Sequence, residues 1–237
     1  MNFFCNLSVF QNMKCMKRIV RRKYIVMKIN KTAQVIGHIC CVINTGEVLH
    51  LGGGISITAH EKGRMVDTNR AGDAQGPICP NRSGDICTDD INNMFKKGYT
   101  FEDAVALSAN RGGLVDLLGT DDVRKVKEMI ANGDEWAKLC YDAMIYTIIK
   151  WTAMMAGAMM GKVDGILLTG GLAHDEELVQ RIKEGTEWIA PNYVYAGSFE
   201  TEAMGFGVIR VLSGQEEAKK YQGHPVWEGF ACEPEIV

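Results

Sequence analysis

The stretch His50-Leu51-Gly52-Gly53-Gly54-Ile55-Ser56 joins a short apolar run to a segment in which apolar residues alternate with small or polar ones. Such alternation is typical of a β-strand with one buried face. Three consecutive glycines between two such segments predict a turn, because glycine adopts backbone angles that other residues avoid. The absence of side chains would also let successive backbone N–H groups approach a phosphate. The residues by themselves are consistent with both interpretations, a tight hairpin turn and a phosphate-binding loop.

The sequence on either side of this loop predicts strands interleaved with helices. The predicted strands lie at Val48–His50, 55–59, 64–68, 163–169 and about 188–195. The predicted helices lie at about 100–111, with Thr100 and Asp103 as a capping box and Gly112-Gly113 as the stop, and at 121–132, 135–160, 175–185 and 202–212. This order of elements predicts an α/β layer structure.

The composition indicates a globular protein with an unusual basic start. The 237 residues are 46% hydrophobic, which is enough for one sizeable core. The first 46 residues contain eight Lys and Arg and no acid, so the rest carries all 29 Asp and Glu against 18 basic residues. The acidic body argues against a nucleic-acid-binding surface. The eight cysteines form no C-x-x-C pair, and no signal peptide is recognisable, which predicts reduced thiols and a cytoplasmic location.

The most apolar long segment, residues 136–160, is interrupted by Lys138, Asp142 and Lys150. Charged side chains at these positions would be unfavourable in lipid, so we expect a buried helix and no membrane span. The methionine pairs at 154–155 and 159–160 are expected in the core of the protein.

A second glycine turn, Thr169-Gly170-Gly171-Leu172-Ala173-His174, follows the predicted strand 163–169. In open α/β sheets, ligands often bind beyond the carboxyl end of such a strand and near the start of a helix. The pattern alone also fits an ordinary turn. Since neither a P-loop motif nor a G-x-G-x-x-G motif is present, those two nucleotide-binding classes are excluded.

Two charged or titratable side chains near these loops have two interpretations each. Arg82 lies on a turn-rich loop, where its guanidinium could bind phosphoryl oxygens or could pair at the surface with Asp85 or Asp89. His50 immediately precedes the glycines, where its ring could donate to a phosphate oxygen or could be a satisfied core residue.

Read together, these motifs resemble those of the butyrate kinases, a branch of the acetate kinase group in the actin/Hsp70/sugar-kinase superfamily. Four segments follow in the family's order: the glycine loop, Gly76-Pro77 with Pro80-Asn81-Arg82-Ser83-Gly84, Gly112-Gly113-Leu114-Val115 with Leu118-Gly119-Thr120, and Leu168 to His174. The resemblance covers about residues 46–221. It implies a ribonuclease H-like α/β domain, a mixed sheet flanked by helices, without the N-terminal companion domain of the family.

The resemblance implies reversible phosphoryl transfer between ATP and butanoate, giving ADP and butanoyl phosphate, with Mg²⁺ as the cofactor. Such transfers depend on positioning and charge stabilisation. Two alternatives remain open at this stage: another short-chain or branched carboxylate as the substrate, and a non-catalytic nucleotide-binding fragment. A homodimer is a further expectation from the family.

The resemblance also assigns residues to the phosphate end of the site. His50, Leu51, Gly52, Gly53 and Gly54 would contact the phosphates of the nucleotide. Arg82 corresponds to the arginine that stabilises the transferring phosphoryl group. Glu202 would be associated with Mg²⁺, although the neighbouring Glu200 is an alternative for the same role.

Two further segments correspond to the adenosine end of the site in the family. Asp122, Val123 and Arg124 form the element near the adenosine, where Arg124 could stack on the base. The nucleoside pocket would be closed by Gly170, Gly171, Leu172, Ala173, His174 and Asp175.

Residues 1–45 match none of these motifs and are expected to form a separate basic head, and residues 222–237 are expected to form a tail. Three interpretations of the head are open. It could be the remnant of a truncated or disrupted gene, a targeting segment, or a replacement strand and helix that cover an edge of the remaining domain.

Overall fold

The glycine stretch forms the tip of a β-hairpin in the structure, a computed structural model that describes residues 44–62, 64–71, 75–198, 200–218 and 220. Strand β1, Thr45–Leu51, pairs antiparallel with β2, Ile55–Glu61, so that Leu51 lies opposite Ile55 across the three glycines. Strand β3, Arg64–Thr68, extends the hairpin as predicted. The predicted tail and all but the last two residues of the predicted head lie outside the described residues.

Two further strands make the sheet mixed. β4, Gly165–Gly170, pairs parallel with β1, and β5, Asn192–Ala196, pairs parallel with β4, which gives the order β3-β2-β1-β4-β5. Strand β5 begins later than predicted because the preceding residues are a turn and Pro191 has no N–H to donate to a neighbouring strand. The mixed sheet of the predicted fold class is therefore present.

The helices among the described residues are α1 Thr88–Lys96, α2 Phe101–Ala106, α3 Leu114–Leu118, α4 Val123–Ala131, α5 Glu135–Ala158, α6 Glu176–Thr186 and α7 Glu200–Leu212. A π-helical turn, Leu107–Arg111, continues α2, and a 3-10 turn, Gly171–His174, follows β4. The predicted capping box begins α2, since Asp103 N donates to Thr100 Oγ1 and Thr100 N donates to Asp103 Oδ2. Helices α1 and α3 are additions to the predicted elements.

One face of the sheet packs against the long helix α5. Leu49 and Leu51 on β1 and Ile57 and Ile55 on β2 are fully buried on this face. The helix covers them with Tyr141, Met144, Ile145, Ile148 and Met155. Apolar alternation in the strands and apolar residues every three or four positions in the helix therefore meet in one core.

The expectation of buried methionine pairs was half wrong. Met155 and Met159 are buried, whereas Met154 and Met160 are 51% and 84% exposed. Met154 points about 100° away from Met155 around the helix axis and so lies on the solvent side, and Met160 lies beyond the end of α5. Among the described residues, no helix is long and apolar enough to cross a membrane.

Glu47 is a polar exception on the buried face of β1. It lies between Ala59 of β2 and Ile166 of β4 and has no exposed surface. Within the described part of the chain, neither of its carboxylate oxygens has a hydrogen-bond partner. Burial raises the pKa of Glu47 to about 8, because an ionised carboxylate loses its hydration there.

The described residues divide into two compact units, with the boundary between residues 199 and 200. The sheet and helices α1 to α6 belong to the first unit, and α7 belongs to the second.

Candidate functional site

The two predicted glycine turns lie side by side at one edge of the sheet. Because β1 and β4 are parallel, with His50 opposite Thr169, the turns that follow them emerge next to each other. Gly170 has a φ of +94°, and a methyl group built on it would lie 2.7 Å from the carbonyl carbon of Leu51. A residue with a side chain could not occupy this position without moving β1, so the close approach depends on glycine.

Arg82 reaches the glycine loop from a different part of the chain. A methyl group on Gly54 would lie 2.6 Å from Cζ and 3.2 Å from Nη2 of Arg82, so the guanidinium rests directly against this glycine. Its Nε donates to the carbonyl of Ala109 at 3.1 Å. No carboxylate of the described residues lies within ion-pair distance of Arg82, and the alternative of a surface pair with Asp85 or Asp89 is therefore wrong.

Asp85 has other partners. Its Oδ1 accepts from the backbone N–H of Gly76 at 3.1 Å, and its Oδ2 accepts from Trp151 Nε1 at 3.0 Å. The first bond closes the loop of Arg82 on itself, and the second ties the loop to helix α5. The positive charge of Arg82 consequently remains available for an anion at the glycine loop.

Cys79 and Asn81 connect the loop of Arg82 to the glycine loop. The backbone N–H of Ile55 donates to Cys79 Sγ at 3.2 Å, and the thiol donates to the carbonyl of Pro77 at 3.2 Å. Asn81 N donates to the carbonyl of Gly53 at 3.1 Å. Burial raises the pKa of the Cys79 thiol to about 11, so the group stays protonated and serves as a hydrogen-bonding link.

His50 and Leu51 differ in their exposure. Leu51 is fully buried in the core, whereas His50 is half-buried on the opposite face of β1. A methyl group on Gly52 would lie 3.1 Å from Nε2 of His50, so the imidazole lies against the start of the glycine loop. The ring is therefore next to the candidate phosphate position, and its donation to a phosphate oxygen remains a prediction.

Asp122 and Arg124 form a bidentate ion pair at the start of α4. Arg124 Nε and Nη2 donate to the two oxygens of Asp122 at 2.9 and 2.8 Å. The hydrogen bond from Arg124 lowers the pKa of Asp122 to about 2. The Arg124 side chain is 90% exposed, whereas Val123 between them packs in the core. Asp122 also caps α4, since its Oδ1 accepts from Arg124 N at 3.0 Å.

Asp175, at the end of the second glycine turn, is engaged on all sides by protein groups. Its Oδ1 accepts from Lys127 Nζ at 2.7 Å and from the first N–H groups of α6, and its Oδ2 accepts from Tyr141 OH at 2.9 Å. Burial would raise the pKa of Asp175, but the bonds from Lys127 and Tyr141 outweigh it and the pKa is lowered. Asp175 therefore fixes the turn that precedes it.

The rest of this turn is short and partly buried. Gly171, Leu172, Ala173 and His174 form the 3-10 turn, in which Ala173 is buried. The turn joins the end of β4 to α6, whose N-terminal amides are capped by Asp175. Gly170 and Gly171 thus lie beside the glycine loop, while His174 and Asp175 lie further along the same connection.

Glu202 is exposed on α7 in the second unit. Among the residues that the structure describes, no three His, Cys, Asp or Glu side chains converge in a way that could hold a metal ion. The prediction that Glu202 or Glu200 accompanies Mg²⁺ therefore stays a prediction.

Sequence reasoning missed Cys79, Asn81 and Ala109, which hold Arg82 in place. Cys79 bonds to Ile55, Asn81 to Gly53 and Ala109 to Arg82. Each partner is 24 or more positions away in the chain, so no local pattern marks these residues. The one available signal was the position of Cys79 and Asn81 within the turn-rich loop of Arg82.

Known proteins resemble the chain over most of its length. The model of the acetokinase family matches residues 22–185. A probable butyrate kinase of Clostridium botulinum is 43% identical over 175 residues, and one of Coprothermobacter proteolyticus is 47% identical over 180 residues. Each alignment covers 73% of this chain and 49% of the relative, so the chain spans about half the length of these curated relatives.

The solved structure of Porphyromonas gingivalis acetate kinase has the same fold. It aligns with a TM-score of 0.59 and 24% sequence identity over 67% of this chain and 40% of that chain. The predicted fold class, with its mixed sheet and flanking helices, is confirmed by this likeness. The family match starts at residue 22, within the predicted head, and the boundary at residue 45 stays a prediction.

Proposed function

The chain belongs to the acetokinase family, and from that premise we propose that residues 46–221 form the nucleotide-binding half of a carboxylate kinase. The reaction is reversible transfer of a phosphoryl group from ATP to a short-chain acid, with butanoate as the first choice. One observation carries the proposal: the Arg82 guanidinium rests against Gly54 and bonds a backbone carbonyl instead of a carboxylate.

This arrangement suits the charge of a transferring phosphoryl group. The negative charge spreads over the phosphoryl oxygens during transfer, and a fixed guanidinium offsets it without rearranging. Because Gly52, Gly53 and Gly54 have no side chains, those of His50, Asn81 and Arg82 lie directly against the loop, and we propose that phosphate oxygens bind to these groups and to the loop amides. We propose that His50, which lies against Gly52, donates a hydrogen bond to a phosphate oxygen.

The adenosine end of the proposed site lies between two segments. Arg124 is exposed, and Asp122 holds its guanidinium and offsets its charge. We propose that the base stacks on this planar group. Gly170 packs against the backbone of Leu51, and we propose that the nucleoside approaches at the open Gly171, in a turn that Asp175 holds. The side chains of Val123 and Leu51 are buried in the core next to these segments.

Mg²⁺ is part of the proposal as the ion that enters with the nucleotide. It commonly uses one or two carboxylates, with phosphate oxygens and water as the other ligands. From the family resemblance alone, Glu202 is the carboxylate that we propose for this role. When bound, the ion would offset charge on the phosphates.

The binding part of the proposal is tested by titrating ATP with Mg²⁺ into the purified chain. We expect Arg82→Gln to weaken ATP binding about tenfold or more, since a hydrogen bond to a charged group contributes about 1.5–3 kcal/mol. Arg64→Gln is the matched control, because Arg64 is an exposed arginine on the edge strand β3. Absence of ATP binding, or equal ATP affinities of the Arg82→Gln and Arg64→Gln variants, would contradict the proposal.

Turnover is a separate question, because half of each curated relative lies outside the alignment. Trapping butanoyl phosphate with hydroxylamine decides between phosphoryl transfer and a second candidate function, nucleotide binding without turnover. The same assay with acetate, propionate and branched acids ranks the acceptors. A homodimer and a cytoplasmic location belong to the proposal as well, and sedimentation analysis tests the first of these.

A further inference from the structure

The loop that carries Arg82, residues 76–85 and here called the arginine loop, caps helix α3. Leu114 N donates to the carbonyl of Cys79 at 3.2 Å, and Val115 N donates to the carbonyl of Pro80 at 3.0 Å. These are the first N–H groups of α3, which has no side-chain cap. The start of the helix therefore holds the arginine loop in place of the usual capping side chain.

Gly112 and Gly113 permit this docking because they carry no side chains. A methyl group on Gly113, whose φ is +65°, would lie 2.5 Å from the carbonyl oxygen and 3.0 Å from the N atom of Arg82. A methyl group on Gly112 would lie 2.6 Å from Ser83 N. Real Cβ atoms do not approach backbone atoms so closely, and a side chain at either position would push the arginine loop away.

The π-helical turn just before these glycines supplies two acceptors to the arginine loop. The carbonyl of Leu107 accepts from Ser83 N at 3.1 Å, and the carbonyl of Ala109 accepts from Arg82 Nε at 3.1 Å. Single π-helical turns are rare and occur frequently at functional sites. In this chain the turn fixes both the backbone after Arg82 and the direction of its guanidinium.

We propose that Leu107–Arg111, Gly112, Gly113 and the first turn of α3 form a socket that aims Arg82 at the glycine loop. Gly113 is a positioning residue in this socket and contacts no phosphate. That Arg82 is aimed at a phosphate rests on the proposed function. That the socket holds Arg82 does not depend on it.

The socket is tested by the exchange rate of the Arg82 Nε–H in protein labelled with ¹⁵N-arginine. Arg82→Lys identifies the resonance, which is expected to exchange slowly because it is bonded to the Ala109 carbonyl. Gly113→Ala is expected to accelerate this exchange. Gly133→Ala is the control, since Gly133 has a φ of +90° and nothing within 4 Å of an added methyl group.

The rates are compared at equal folded fractions, because a positive φ strains alanine in both variants. If Gly113→Ala is too unstable, Gly112→Ala replaces it: Gly112 is extended at φ −103°, so alanine adds no backbone strain there and acts only through its contacts with Leu107 and Ser83. Fast exchange in the unsubstituted chain, or equal exchange in the socket and control variants, would overturn the proposal.

ATP affinity provides the second readout. Gly113→Ala is expected to weaken binding about tenfold, as Arg82→Gln does, and the double variant is expected to lose no more than either alone. Additive losses would show that Gly113 acts independently of Arg82 and would overturn the proposal. If the unsubstituted chain does not bind ATP, the proposed function fails, while the Nε–H exchange still decides whether the socket exists.

Discussion

Two buried or nearly buried carboxyl groups at opposite edges of the sheet have opposite pKa shifts. Asp175, beyond the carboxyl end of β4, has protein donors on both oxygens, and its pKa is lowered. Glu47, near the start of β1, lacks a partner for either oxygen within the described residues, and its pKa is raised to about 8. Burial acts on both groups in the same direction.

The difference shows that hydrogen-bond partners decide whether a buried carboxyl group is ionised. At Asp175 the charge has compensation and organises the turn beside the candidate site. Glu47 stays protonated in the fold, because its ionisation would leave an unpaired charge in the core. The contrast therefore predicts opposite effects of pH on the two edges of the sheet.

Glu47→Leu is expected to have the largest effect. The folded pKa of about 8 lies above the ordinary 4.5, so the stability of the protein falls as pH rises from about 4.5 to about 8. The variant should lack this loss and should be more stable at pH 8 by about 4 kcal/mol. Urea unfolding at pH 5 and pH 8 measures it.

Glu47→Gln is the matched control for this prediction. It removes the titration but keeps a buried polar group, so we expect the pH dependence to flatten without the full gain of Glu47→Leu. A partner for Glu47 would be revealed if both variants were less stable than the unsubstituted chain at pH 8.

Asp175→Asn tests the opposite edge and is expected to lower the free energy of unfolding by about 2–3 kcal/mol at pH 7. Asparagine still caps α6, so the loss isolates the bonds to Lys127 and Tyr141. Because the folded pKa lies below the ordinary 3.8, this stabilisation is present above about pH 4 and disappears as pH falls further. A loss that persisted unchanged at pH 2.5 would contradict this account of the charge.

Tyr141→Phe removes one donor to Asp175 and leaves the ring in the core. The expected loss is about 1.5–2 kcal/mol, because Asp175 is ionised and a hydrogen bond to a charged group contributes about 1.5–3 kcal/mol. Combined with Asp175→Asn, the substitution should have almost no further effect, and thermal unfolding of the three variants measures this coupling. Full additivity would show that the hydroxyl acts through some other group.

Lys138→Met is expected to have the smallest effect. Lys138 pairs with Asp142 at 2.6 Å, but the lysine side chain is 55% exposed and the pair is screened by water. We expect a change of less than about 0.5 kcal/mol in the free energy of unfolding. A loss comparable to that of Asp175→Asn would mean that exposure does not separate weak from strong pairs in this chain.

Local patterns were sufficient to predict much of the fold. The hairpin followed from alternation around the three glycines, and the start of α2 followed from Thr100 and Asp103. Helix α1 was missed although Ile91, Met94 and Phe95 have helical spacing, because this pattern spans little more than one turn and none of the helix's residues is buried. Helix α3 was missed because distant carbonyls cap it, so its beginning has no signature in the neighbouring sequence.

The candidate site shows the same division between local and distant causes. Gly54 and Arg82 could be proposed from their loops and from the family resemblance. Their contact with each other, and the support from Cys79, depend on tertiary packing that no spacing reveals. The burial of Glu47 was also unforeseen, because the predicted strand began at Val48, one residue after it.

The parallel pairing of β1 with β4 has a consequence for the order of folding events. The hairpin β1–β2 joins residues that are close in the chain, whereas Asn44 N bonds to Asp164 across 120 positions. Closing such a long loop costs more chain entropy than closing the hairpin and is slower. We therefore expect the hairpin to appear early in refolding and the neighbouring second glycine turn to join it among the last steps.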